Sequence, residues 1–256
     1  MRLTRVLTVI LLSASVLYGM LCLAMFLGQR SLLYHPTPTT PQGDPAIAMD
    51  LAVVGAVVKV SVREREGRNA LIYFGGNAEQ VSYNLPAFEI AFPNHAIYML
   101  HYRGYNGSGG APTEAALHAD AKVLFEWVEA KHTAITLVGR SLGSGVAVRL
   151  AATNKVQHLV LITPYDSISN VAKVRYPWLP VGLLLQDTFD SARYAPRITA
   201  PTVIVAGEYD LVIPPARTAA LYTAFMPGIA TLKNVPRADH NSISAVSNYY
   251  DLMDIE

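Results

Sequence analysis

Gly139-Arg140-Ser141-Leu142-Gly143 carries the pattern G-x-S-x-G. That pattern sets a serine hydroxyl on a sharp turn between a strand and a helix. A serine hydroxyl is a weak nucleophile. It attacks an acyl carbonyl effectively when an imidazole takes its proton and a carboxylate orients that imidazole. The glycines are needed because the turn is tight and neighbouring backbones crowd it. The pattern alone arises by chance in roughly one chain of this size in ten, so its setting decides. A β-type run, residues 134–138, ends where the motif begins, and a helical run, residues 146–153, follows it.

The partners of Ser141 follow from chain order, which in a strand–elbow–helix arrangement is serine, acid, histidine. Of seven histidines, only His158 and His240 come after Ser141. His158 starts a strand-like run, the usual place of a structural histidine. His240 lies in a loop after the last strand-like run, where a base can reach over the sheet's edge. The acid belongs after the penultimate strand, where Asp210 stands, with Glu208 and Asp239 as rivals. An oxyanion hole needs two donors. The backbone N–H of Leu142 is one. The second is expected from Gly75-Gly76-Asn77, with the Asn77 N–H first and Gly76 next in line.

The elements that must position these residues are visible as apolar, β-branched runs alternating with helical patterns. Expected strands are 52–62, 70–74, 96–102, 134–138, 156–162, 202–206 and 230–235. Expected helices are 113–131, 142–153, 216–225 and 242–252. Short strands that are apolar throughout fit a parallel sheet covered on both faces, and the alternation argues for a doubly wound α/β domain. Residues 164–199 break the alternation and read as an inserted cap. The Gly-rich stretch 103–110 reads as a structural turn beside the site. No internal repeat is visible.

Of 256 residues, 52% are hydrophobic and 15% are charged, which excludes intrinsic disorder. A net charge of +1 offers no nucleic-acid footprint, and one cysteine allows no intrachain disulfide. No H-E-x-x-H or cysteine pair suggests a metal, and no cofactor is expected. Residues 6–29 carry no charge. As a helix they span about 36 Å, enough for a hydrocarbon core of about 30 Å. A cleaved signal would have a shorter apolar core, so residues 1–30 read as a retained signal anchor. Arg2 and Arg5 before the span put the N-terminus in the cytoplasm and the remaining domain on the other side. Residues 31–45, rich in Pro and Thr, read as an extended spacer. Residues 46–256 form the folded domain, which is expected to be soluble and active when the chain begins near Pro45.

The chain resembles the membrane-anchored α/β-hydrolase-domain serine hydrolases, including those that remove palmitate from proteins in animals. The resemblance covers roughly residues 30–250. It rests on Leu33-Tyr34-His35-Pro36, Gly75-Gly76-Asn77-Ala78, the motif of residues 102–114, the elbow at 139–147, residues 164–167 and 176–180, and the loops 207–214 and 239–242. It implies the α/β-hydrolase fold and a Ser141, Asp210, His240 triad. The family usually has His before Gly-Asn, where this chain has Gly75, and the region before Ala70 is shorter.

Two other classes compete. Gly139-x-x-x-Gly143-x-Gly145 resembles the nucleotide loop of short-chain dehydrogenases, but it starts past the middle of the chain and no Tyr-x-x-x-Lys follows. A non-catalytic binding protein or scaffold could use the same fold. The expected activity is hydrolysis of an ester or thioester with an apolar acyl chain, a peptide bond remaining open. The cap residues Tyr176, Trp178, Leu179 and 183–185 are expected to line an acyl pocket, to touch the bilayer, or simply to pack onto the domain.

Overall fold

A computed structural model describes residues 2–39 and 46–255. Eight strands form one sheet: β1 (Ile47–Val53), β2 (Ala56–Arg63), β3 (Asn69–Phe74), β4 (Ala96–Leu100), β5 (Ala134–Arg140), β6 (His158–Ile162), β7 (Thr202–Gly207) and β8 (Ala230–Val235). Their order is β1-β2-β4-β3-β5-β6-β7-β8. β1 and β2 are antiparallel to each other and β2 to β4, and every other pairing is parallel. The parallel strands β3 to β7 are buried almost throughout, as crossover helices on both faces require.

The helices are α1 (Arg2–Leu33), α2 (Leu85–Ala91), α3 (Glu114–Glu129), α4 (Leu142–Ala151), α5 (Ile168–Arg175), α6 (Val181–Leu184), α7 (Ser191–Tyr194) and α8 (Pro215–Ala224). One apolar core, with α3, α4, the end of α1 and the segment between β6 and β7, covers one face of the sheet. A second, built by α2 and the C-terminal residues, covers the other. α3 starts as its sequence predicts. Thr113 caps it, its hydroxyl accepting from the Ala116 N–H at 3.1 Å, with Glu114 in the first turn.

Four expectations need correction. The single strand expected at 52–62 is a hairpin. Gly55, at φ +72°, turns the chain between Val53 and Ala56, and an apolar run on both sides masked the two-residue turn. The helix expected at 242–252 is two short 3₁₀ turns, Ser242–Ala245 and Asp251–Met253. Asp239 Oδ1 accepts from the N–H groups of Asn241 and Ser242, and such side-chain bonds divert the backbone from a helix. α2 was not expected; Pro86 sits in its first turn, where a missing N–H costs nothing.

The fourth correction concerns the spacer. Residues 31–33 belong to α1, and the chain after them packs onto the domain. Tyr34 is buried in the core, and the Asn106 N–H donates to the Thr37 carbonyl at 2.9 Å. Residues 40–45 of the expected spacer lie outside the described residues.

The segment expected as a cap, 164–199, carries α5, α6 and α7 between β6 and β7. It seats on α1. Tyr18 Oη donates to the Trp178 carbonyl at 2.8 Å. Gln29 donates to the Leu184 carbonyl at 3.0 Å and accepts from the Gln186 N–H at 2.7 Å. Arg30 pairs with buried Asp187 at 3.1 Å. Over its N-terminal half α1 is exposed and apolar.

Candidate active site

Ser141 is the single residue between β5 and α4, at φ +48° and ψ −116°. A non-glycine residue held there stores roughly 1–3 kcal/mol of strain. Its surroundings hold it: its N–H donates to the Ile162 carbonyl at 2.9 Å, and its carbonyl accepts from Ser144 N–H at 2.9 Å and Ser144 Oγ at 2.7 Å. The glycines are there for closeness. A Cβ on Gly143 would lie 2.1 Å from the Phe74 carbonyl oxygen, and one on Gly139 would lie 2.6 Å from the Gly143 carbonyl oxygen.

Asp210 and His240 come from the loops after β7 and β8. Those loops are pressed together, since a Cβ on Gly207 would lie 2.7 Å from the Ala238 carbonyl oxygen. Asp210 is buried and its Oδ1 accepts from the N–H groups of Val212 at 2.9 Å and Ile213 at 2.7 Å. That fixes Oδ2 2.7 Å from His240 Nδ1. His240 Nε2 lies 2.9 Å from Ser141 Oγ. With the Nδ1 proton donated to Asp210, Nε2 is the acceptor for the serine hydroxyl. Three residues far apart in sequence thus form one continuous hydrogen-bonded line.

The rival residues are engaged elsewhere. Asp239 is tied to the backbone of Asn241 and Ser242, and those bonds from backbone N–H groups hold its carboxyl below the usual range. Glu208 accepts from the Arg237 N–H at 2.8 Å. His158 begins β6, at the end opposite the elbow.

The loop after β3 corrects one expectation. The Gly76 N–H is occupied, donating to Glu79 Oε2 at 2.5 Å, so it is no oxyanion donor. Gly76 nevertheless borders the nucleophile: a Cβ on it would lie 3.6 Å from Ser141 Cβ. Asn77 follows it, and its side chain is fully tied. Oδ1 accepts from the His35 N–H at 2.9 Å and Tyr105 Oη at 2.7 Å, and Nδ2 donates to the Leu33 carbonyl. The Leu142 N–H opens α4, where N–H groups have no intrahelical acceptor and the helix dipole favours negative charge.

Sequence reasoning missed Glu79. Its carboxylate also accepts from Tyr73 Oη at 2.7 Å and Asn84 Nδ2 at 2.5 Å, and it lies 3.6 Å from Arg140, the residue before the nucleophile. Burial alone would lower the Arg140 pKa, but Glu79 together with Tyr73 and Tyr249 outweighs it and holds the guanidinium above its ordinary value. The same packing explains Gly75, where the family has histidine: a Cβ there would lie 2.3 Å from Val81 Cγ1 and 3.4 Å from Glu79. Among the described residues, no group of three or more His, Cys, Asp or Glu is placed to hold a metal.

Residues 69–197 match the sequence profile of the alpha/beta hydrolase fold. An uncharacterized protein of Mycobacterium tuberculosis is 34% identical over 163 residues, 60% of this chain and 57% of that protein. Protein bem46 of Schizosaccharomyces pombe is 24% identical over 215 residues, 80% of this chain and 72% of that protein. The chain therefore spans little more than half the length of its mycobacterial relative. Among solved structures, the Pyrococcus furiosus esterase Pf2001 superposes with a TM-score of 0.66 at 14% identity, over 85% of this chain and 93% of that one. The chain belongs to the α/β-hydrolase family.

Proposed function

We propose that the protein is a serine hydrolase, tethered by α1 and cleaving an ester or thioester of an apolar acyl chain. The observation that carries this reading is the line from Asp210 through His240 to Ser141, at 2.7 Å and 2.9 Å. Family membership and esterase-like neighbours support the hydrolase class.

In this reading Ser141 Oγ attacks the acyl carbonyl carbon as its proton passes to His240 Nε2. The tetrahedral oxyanion is held by the Leu142 and Asn77 backbone N–H groups. Collapse expels the alcohol or thiol, which takes the proton from His240, and leaves an acyl-Ser141 ester. Water, deprotonated by His240, then releases the carboxylic acid. Asp210 keeps the imidazole in the right tautomer and stabilises it when charged. α1 holds the site at the bilayer, with the domain on the non-cytoplasmic side.

A fluorophosphonate tests the nucleophile. The full chain in detergent should label, and Ser141→Ala should not while retaining its circular dichroism spectrum. Undiminished labelling of Ser141→Ala would refute the assignment.

A further inference from the structure

α1 turns one stripe of residues toward the cap. Tyr18, Cys22, Met25, Gln29 and Leu33 are spaced by four, three, four and four residues, the spacing of one helix face. Apart from exposed Tyr18, which bonds the Trp178 carbonyl, they are at least partly covered, while the residues between them are mostly exposed. From Tyr18 to Leu33 the stripe is about 22 Å long. Tyr18 lies near the middle of the uncharged span 6–29, so a cap that bonds it lies against the part of α1 that would face lipid. Trp178, whose carbonyl accepts from Tyr18, is 53% exposed, and Leu183 of α6 is 86% exposed.

Helix and cap do not close completely. Between them lies a cavity of about 130 Å³, walled by Met25, Leu32 and Leu33 of α1 and by Ile168, Leu179 and Leu184 of the cap. Gln29 also borders it. Its amide donates to the Phe26 and Leu184 carbonyls, and its carbonyl accepts from Gln186 N–H, so its hydrogen-bonding capacity is spent on backbone.

One wall of the cavity is tied to the loop after β3. Leu33, one of its walls, accepts a hydrogen bond from Asn77, and Asn77 follows Gly76, which borders Ser141. We propose that this cleft between the anchor helix and the cap receives the acyl chain of the substrate, entering sideways from the bilayer with its carbonyl toward Ser141. The proposal rests on the hydrolase reading. It adds that the anchor is one wall of the acyl site and not only a tether. The occupant is an acyl chain because the lining is mostly aliphatic, with Tyr176 and the already satisfied Gln29 its two polar-tipped side chains, and α1 continues beyond the cleft as an exposed apolar helix.

Two measurements on the full chain in phosphatidylcholine vesicles test it. The first is photo-crosslinking with a dodecanoic acid bearing a terminal diazirine, on wild type and on Ser141→Ala. Adducts on both Met25 or Leu32 and Ile168 or Leu184, reduced by excess laurate, are expected in both proteins. Adducts confined to residues 6–17, unaffected by laurate, would overturn the site. Adducts on both walls in a wild type that hydrolyses nothing would support the site while refuting the hydrolase reading.

The second is the ratio of kcat/KM for p-nitrophenyl hexanoate to that for the acetate. Each buried methylene is worth about fourfold. Met25→Trp and Leu184→Trp, which fill the cleft from opposite walls, should each lower that ratio at least tenfold. A ratio unchanged in both folded variants would overturn the proposal.

Discussion

The side-chain amide of Asn77 donates to the carbonyl of Leu33, joining the loop after β3 to the last residue of α1. The same side chain accepts from the His35 N–H and from Tyr105. A chain beginning near Pro45 therefore loses more than its tether. It loses two of three ties on Asn77, the buried Tyr34 and the Arg30–Asp187 pair. Asn77→Ala keeps the backbone N–H but releases it from this frame. Loss of one oxyanion donor costs about 10²–10³ in kcat, so kcat should fall by up to that factor with KM little changed. Steady-state kinetics of Asn77→Ala beside the shortened chain checks this. Full activity in both would show that the anchor does not set the loop.

The acid of the relay is separable from its rivals by substitution. Asp210→Asn should lower kcat by about 10⁴, because the imidazole loses the partner that fixes its tautomer. Asp239→Asn, on a side chain tied to a surface turn, should change the rate less than tenfold. The opposite ranking would move the role to Asp239.

Glu114 and His118 make cap docking sensitive to acid. Burial alone would raise the Glu114 pKa, but the His118 ring and the N–H groups of Phe189 and Thr188 hold it below the usual carboxylate range. Burial lowers His118 below the ordinary imidazole value of 6.5. Both groups bind fewer protons folded than unfolded. Their contribution is complete above their unfolded values and is lost as pH falls, first just under 6.5, then below about 4.3. Urea unfolding from pH 7.5 to 3.5 should show falling stability, and Glu114→Gln should flatten the lower step. A wild-type midpoint that rises on acidification would contradict this.

Arg103 and Asp120 form a buried bidentate pair, with Nε and Nη2 each 2.7 Å from a carboxylate oxygen. It clamps the glycine-rich loop that carries Tyr105 to α3. Arg103→Ala leaves Asp120 charged and unpartnered, a loss of about 3–5 kcal/mol. Arg103→Met with Asp120→Leu should recover much of it. Chemical denaturation of the three chains decides, and an Arg103→Ala loss under 1 kcal/mol would mean the pair is dispensable.

The sequence made Ser141, Asp210 and His240 legible because each sits at the end of a short apolar strand and their order along the chain is fixed by the sheet. It did not reveal Glu79. Nothing in a lone acid after a glycine turn says that it will face Tyr73, Arg140 and a backbone N–H, since those meet only once β3 and β5 pair. Nor did it reveal that residues 31–39 dock. Pro and Thr describe an extended backbone equally well whether it floats or packs, and burial of Tyr34 is a tertiary fact. The hairpin at Gly55 and the 3₁₀ turns after Ser242 were missed because local side-chain and turn geometry outweighed hydrophobic pattern.

The crossing of β3, β5 and α4 at the elbow has a consequence for heredity. Gly143 and Gly139 each face backbone oxygens of another segment at distances no Cβ survives. Two elements would have to move apart for either position to accept another residue, β5 and α4 at Gly139, α4 and the end of β3 at Gly143. These glycines have no neutral neighbours in sequence space, so a lineage that lost its activity would still be compelled to keep them. Their persistence in a relative therefore reports a folded domain and says nothing of whether it reacts.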